Sequence, residues 1–338
     1  MIKTKLSSRS KLLTVKFWHG IGILALGTSI MAVELGSQVQ KQKVILDSDL
    51  GSDIDDAFAL ALLLSSPEFQ ILGITLGHGQ TDKRGQLACR LLYETGMEHI
   101  PVAVGRNTIQ VAGNPQVKAS EPKQFSWAEG FSKVQPIDTP AAEFILRKLR
   151  QHPKQIILFT TGPTSNVFDL LKKDPKALQL AKRVYSMFGS FYIGYNQSPV
   201  PSAEWNVKAD IPAARSLVTS QAPITYAGLD ITAFVKLEAK QRFVIWSHRS
   251  PLTDSLHSLY QLWDKDTPIL YDIVPLGMVL WPDLFRTRSA HVRVTDEGFT
   301  VIEEDQPPNS QVGISIRKDE FLRRLVERFL RQRLSRSR

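Results

Sequence analysis

Short apolar runs that alternate with helix-patterned segments constrain this chain more than any other feature of its sequence. The first, Lys43-Val44-Ile45-Leu46, ends at Asp47. A run of this kind, without polar alternation, is what a strand needs when both of its faces are covered. Asp55-Asp56 then open a continuously apolar helical segment through Leu64, and acids in a first helical turn are favoured by the exposed amides and the helix dipole. The rhythm continues. Strands are predicted over residues 69–75, 101–105, 155–161, 183–187 and 224–229, and helices over 84–94, 141–150 and 166–171. It predicts an α/β fold, a mostly parallel central sheet flanked by helices in a single large domain. Such sheets carry their sites beyond the carboxyl ends of strands, where Asp47, Thr161 and Asp230 fall.

The formal charge of +9 points to nucleic acid only until it is located. Residues 1–33 contribute +5 and the tail from Arg323 contributes +6, which leaves −2 for the residues between. A nucleic-acid groove needs its basic residues over the folded face, so this class is set aside. In the tail, Phe321, Leu325 and Phe329 recur at helical spacing, so its arginines are expected to form a solvated face. The basic start has another explanation. Lys3, Lys5, Arg9, Lys11 and Lys16 precede an apolar run from Phe17 to Val33, the pattern of an export signal or an uncleaved membrane anchor. Residues 1–36 are therefore expected to be that segment and 37–338 the catalytic domain, with the protein exported (periplasmic or extracellular) or anchored. The lone Cys89 excludes an internal disulfide and a cysteine-based zinc site.

Between Asp47 and Asp56 five aspartates occupy ten positions. Carboxylates at that density in a strand-to-helix turn repel one another unless a cation offsets them, and hard oxygen donors suit Ca²⁺ or Mg²⁺ rather than zinc. Gly51 allows the tight turn that brings both ends of the loop to one point. An EF-hand does not fit, because neither Asp47 nor Asp49 starts a loop with Gly at position six and Glu at twelve. A strand-end Asp-x-Asp also begins aspartyl-phosphate enzymes, but these do not account for the second pair, Asp55-Asp56.

The segment from Asp47 to Leu60 resembles the opening signature of the inosine-uridine-preferring nucleoside hydrolases, with two residues added before the Asp pair. The likeness continues in order through Thr161-Gly162-Pro163-Thr164-Ser165-Asn166, Ala203-Glu204-Trp205-Asn206, Gly228-Leu229-Asp230-Ile231-Thr232 and Tyr271-Asp272. The resemblance implies hydrolysis of the N-glycosidic bond of ribonucleosides to free base and ribose, in purine or pyrimidine salvage, by a Ca²⁺-bound water and an Asp general base. It implies that Asp49, Asp56, Asp272 and the Thr161 carbonyl hold Ca²⁺, with Asp47 supporting the cluster and Asp49 acting as the base. Asp55, Asn196, Glu204 and Asn206 would grip the ribose, with Met187 at the pocket floor. It also implies a homo-oligomer, a dimer or tetramer, with a small-molecule nucleoside substrate and no nucleic-acid partner.

Three departures bear on the base. Gln80, with His78 two residues before it, stands where many members have Asn; both are candidate substrate contacts. Tyr271 stands where a His would donate a proton to the departing base, and a phenol with a pKa near 10 donates less readily. Trp205 replaces Phe, a change expected either to stack on the base or to alter the size of the pocket. Two alternatives follow: a hydrolase of another ribosyl compound on the same scaffold, or a non-catalytic Ca²⁺- and sugar-binding relative. A lid over the site is expected from residues 106–135, which hold Trp127 and Phe131.

Overall fold

The computed structural model describes residues 40–108 and 121–336; the expected export or anchor segment, 1–36, lies outside them. Six strands follow the predicted rhythm: β1 (Gln42–Ser48), β2 (Phe69–Leu76), β3 (Val102–Val104), β4 (Ile156–Thr160), β5 (Arg183–Met187) and β6 (Ile224–Ala227). Four more follow in the last quarter of the chain: β7 (Phe285–Ala290), β8 (Val292–Val294), β9 (Thr300–Ile302) and β10 (Ser310–Ile316). Eight of the ten make one sheet in the order β3-β2-β1-β4-β5-β6-β10-β7, while β8 and β9 pair separately. All of its neighbours run parallel except β10 and β7. The α/β expectation therefore holds, with an antiparallel edge that the sequence rhythm does not announce.

Both faces are covered, and β1 shows why its middle, Val44-Ile45-Leu46, is apolar at every position. Val44 and Leu46 enter one core, packed on helices that include Asp55–Leu64, Ile273–Leu280 and Lys318–Arg331. Ile45 enters the other, packed on Ala141–Gln151, Ser165–Lys173 and Ile211–Thr219. Successive strand residues point to opposite faces, so a strand with two cores has no position for a polar side chain until its end. Several of the C-terminal arginines are held in ion pairs. Arg324 pairs with Asp283 and Arg328 with Glu68, while Arg323 reaches Glu320 and Glu327. No described helix is long and apolar enough to cross a membrane.

Two features of this topology position the site. The chain winds outward from β1 in both directions, toward β2 and β3 on one side and toward β4, β5 and β6 on the other. The carboxyl ends of β1 and β4 therefore border a crevice at a topological switch point, where open α/β sheets bind ligands. The second feature is register. Asp47 pairs with Thr160 across that crevice, and the Thr161 amide donates to the Asp47 carbonyl at 2.8 Å, so both loops leave the sheet at one level.

Candidate active site

The acidic loop is folded by its own polar groups. Gly51 turns at φ 111°, the left-handed region where only glycine is unstrained. The Ser48 hydroxyl donates to Asp56 Oδ1 at 2.6 Å and accepts the Leu50 amide at 3.0 Å, tying the start of the loop to its end. Asp47 is turned away from the crevice: its Oδ1 accepts from Thr75 Oγ1 at 2.6 Å and from Asn166 Nδ2 at 2.7 Å. Burial pushes its carboxyl up to about 6 against those two hydrogen bonds.

Arg84 braces the loop from behind. Its guanidinium, 3 % exposed, donates to the carbonyls of His78 (2.7 Å), Leu50 (2.8 Å) and Asp49 and to Ser52 Oγ (2.8 Å). One of its nitrogens lies 3.9 Å from Asp49 Oδ2. A fixed cation with five donors satisfies several buried acceptors at once, which a lysine cannot do. On the outer side the Gln124 amide donates to the carbonyls of Gly51 and Asp53.

Within the crevice, carboxylate oxygens of Asp55, Asp56 and Asp272 lie within 4.8 Å of one another, and all three residues are buried. Asp55 Oδ2 accepts the Asp272 amide at 3.2 Å. Burial first, then repulsion among the cluster's carboxylates, Asp49 included, holds all three well above the usual carboxylate range. Such a set ionises fully only when a cation offsets the repulsion, and its all-oxygen chemistry fits a hard divalent ion. Asp49 stands at the edge of this group, 5 % exposed. Asp55, which the resemblance gives to the sugar, is inside it.

These residues form one wall of a cavity of about 300 Å³, and Thr161 also lines it. The opposite wall comes from β5 and the loops beyond it. Asn206 Nδ2 donates to the Met187 carbonyl at 3.1 Å and lies 3.4 Å from the Thr161 carbonyl, so Asn206 spans both walls. Glu204 accepts the amides of Asn206 (2.8 Å) and Gly189 (3.0 Å), and burial pushes its carboxyl up to about 7. The Tyr195 hydroxyl accepts the Trp205 amide at 2.8 Å and lies 3.5 Å from Glu204 Oε1. Its ring meets that of Tyr271 edge to face, with centroids 6.2 Å apart. Burial raises the Tyr271 hydroxyl further above its ordinary value.

Asp49, Asp55, Asp56, Thr161, Met187, Glu204, Trp205, Asn206, Tyr271 and Asp272 thus line the one cavity. Several expected contacts do not. Gln80 is an exposed residue that precedes helix Thr81–Glu94, and Asn196 is exposed with φ 57°. The tight turn closed by the Gly194 amide on the Ser198 carbonyl carries Asn196 outward and presents Tyr195 instead. His78 is buried and meets the site through the edge of Trp205, centroids 6.2 Å apart. Asp230 accepts three successive amides, of Phe191, Tyr192 and Ile193, and so holds the Tyr195 loop rather than a ligand. Trp127 stacks on Arg90 and Phe131 packs on Tyr93, so both lie against helix Thr81–Glu94 and not across the cavity. Residues 109–120 of the expected lid lie outside the described residues.

Sequence reasoning passed over Arg84 and Tyr195, and counted Asp53 in the acidic loop without giving it a role. Arg84 was findable: it shares a helical face with Leu87, Ala88 and Leu91, all buried, and a charge on an apolar face must have partners. Tyr195 carried no such signal.

The family described as inosine-uridine preferring nucleoside hydrolases matches residues 44–323. Uridine nucleosidase 1 of Arabidopsis thaliana is 28% identical over 280 residues, 77% of this chain and 80% of that protein. The pyrimidine-specific ribonucleoside hydrolase RihA of Citrobacter koseri is 28% identical over 309 residues, 84% of this chain and 97% of its own. Among solved structures, a plant nucleoside hydrolase superimposes with a TM-score of 0.75 at 24% identity, covering 86% of this chain and 99% of its own. A purine-preferring ribonucleoside hydrolase from Gardnerella vaginalis gives 0.72 at 23% identity, covering 86% and 98%. The two structures share the fold.

Proposed function

The chain belongs to the inosine-uridine preferring nucleoside hydrolase family, and from that premise we propose that it hydrolyses the N-glycosidic bond of ribonucleosides, releasing free base and ribose. The observation that carries the reading is the meeting, in one cavity at the sheet's switch point, of the acidic loop with Thr161, Asn206 and Asp272.

The residues divide the work by position. Asp49 is the general base for the attacking water, with the Arg84 guanidinium 3.9 Å from its Oδ2. Asp55, Glu204 and Asn206 take the ribose hydroxyls. With its Nδ2 committed to the Met187 carbonyl, Asn206 offers its oxygen as an acceptor. As the C–N bond breaks the sugar ring becomes oxocarbenium-like, and the surrounding carboxylates stabilise that charge. A Ca²⁺ ion held by Asp49, Asp56, Asp272 and the Thr161 carbonyl would offset the carboxylates and acidify a water. The basic start and apolar run of residues 1–33 support export or anchoring of this activity.

Incubation of the purified chain with inosine, uridine and p-nitrophenyl riboside, with Ca²⁺ and with a chelator, tests the reading. Release of base or nitrophenol is expected with Ca²⁺ alone, and Asp49→Ala is expected to lower it by roughly a thousandfold, within the range for loss of a positioned acid–base group. Full activity in Asp49→Ala would sink the assignment.

A further inference from the structure

The cavity is lined by more carboxyl groups than the proposed metal and ribose roles use. Asp49, Asp53, Asp55, Asp56, Glu204 and Asp272 all line it, and among the described residues no Lys, Arg or His does. Two cations stand outside the lining: Arg84, engaged by carbonyls behind the loop with one nitrogen 3.9 Å from Asp49 Oδ2, and Lys265, whose charge acts on Asp53. A cleft lined by one sign of charge concentrates ligands of the other. Asp53, in the lengthened part of the acidic loop between Gly51 and the Asp pair, adds a carboxyl group to that lining which neither the metal nor the ribose assignment uses. One of its oxygens accepts the Ile54 amide at 2.7 Å.

Aromatic rings line the same cavity. Tyr195 and Tyr271 stand edge to face, and Trp205 is 42 % exposed beside them. The faces of such rings attract cations, most strongly where the ligand is a quaternary ammonium that cannot be neutralised. Carboxylate and aromatic faces together describe a subsite for positive charge. The same lining offers no imidazolium, ammonium or guanidinium to protonate a departing neutral base.

We propose that the preferred substrates are N-ribosides whose leaving base carries a fixed positive charge, of which an N-ribosylpyridinium is the simplest, with Asp53, Tyr195, Trp205 and Tyr271 as the subsite for that charge. The proposal rests on the N-ribohydrolase reading above and names its substrate class. The step balances without a proton donor. Water forms the new C–O bond at the anomeric carbon as the C–N⁺ bond breaks. The bonding pair returns to the ring nitrogen, so a neutral pyridine leaves. The water's proton goes to Asp49 and then to solvent.

The test compares kcat/KM of the full chain with Ca²⁺ for nicotinamide riboside, uridine, inosine and p-nitrophenyl riboside, the last being neutral yet also able to leave without a proton. Nicotinamide riboside is expected to exceed uridine and inosine by at least about tenfold. Asp53→Asn, which keeps an acceptor for the Ile54 amide, is expected to lower the ratio of nicotinamide riboside to p-nitrophenyl riboside by about tenfold, as loss of one nearby charge does in a partly desolvated site. Asp53→Glu is expected to retain it. Uridine or inosine turned over as well as nicotinamide riboside, or a ratio unmoved by Asp53→Asn, overturns the proposal and leaves the N-ribohydrolase reading intact. Failure to cleave any riboside, the activated one included, overturns that reading and the proposal with it.

Discussion

Glu204 shows how much a single buried side chain reports about this site. It accepts two backbone amides from different loops, yet burial still pushes its carboxyl to about 7. A carboxyl whose folded value lies above its unfolded value near 4.5 binds its proton more tightly in the native state. Stability is then complete below pH 4.5 and falls as pH rises from 4.5 to 7, because the unfolded chain releases a proton the folded one retains. A shift of that size corresponds to on the order of 3 kcal/mol across the window. Urea denaturation of the metal-free protein should show the falling slope, and Glu204→Gln should flatten it. The variant also loses one acceptor for the Gly189 or Asn206 amide, so its absolute stability drops; the slope is the reading that matters. An unchanged slope would assign the proton elsewhere. Glu204 was legible in the sequence as a site residue, through Ala203-Glu204-Trp205-Asn206. Its neighbour Tyr195 was not, because the outward turn at Asn196 moves the expected contact by one residue, and a left-handed asparagine leaves no trace in a pattern of apolar positions.

At the scale of elements the site is the junction of two strand ends. β1 delivers Asp49 and β4 delivers Gly162, and a side chain on Gly162 would place its Cβ 2.6 Å from Asp49 Oδ1 and 2.9 Å from the Asp49 amide nitrogen. The amide belongs to the chain leaving β1 and cannot yield without moving the loop. Gly162→Ala is therefore expected to displace Asp49 by a fraction of an ångström to about an ångström. Kcat/KM should fall by roughly 10- to 100-fold, the scale on which such misplacements act, and Ca²⁺ should bind more weakly by titration calorimetry. Wild-type turnover together with wild-type calcium affinity would remove Gly162 from the argument. Strands β1 to β6 were legible because most of their positions are buried and they hold short runs of apolar residues. β7 and β10 were not, since at the antiparallel end β7 buries only Ala290 and follows no regular alternation, and β10 is only partly covered. Helix Ala239–Ser247 buries only Ile245, so its sequence holds no apolar face to find.

For the molecule as a whole, the cavity is where distant parts of the chain are joined. Asp55 Oδ2 holds the amide of Asp272, 217 residues away in sequence, and Asp56 lies in the same group of carboxylates. An ion bound among them would tie the first strand–helix turn to the helix that starts at Ile273, and both belong to the same core. Without it, the repulsion that raises those carboxyls opposes the packing of that core. Binding to the native state alone stabilises the fold by mass action, about 2.7 kcal/mol at a free ion concentration a hundred times Kd. Denaturation in Ca²⁺ and in chelator should therefore differ by about that amount in a single cooperative transition. The measurement separates a structural role of the ion from a merely catalytic one, because it needs no substrate. Asp272→Asn removes a proposed ligand from the far side of the junction while relieving one of the repelling charges. It is expected to be as stable as the parent in chelator, or more so, and to lose most of the calcium-dependent increment. If calcium stabilises Asp272→Asn as much as the parent, the ion is held elsewhere in the chain, and the junction between the two halves is made by packing alone.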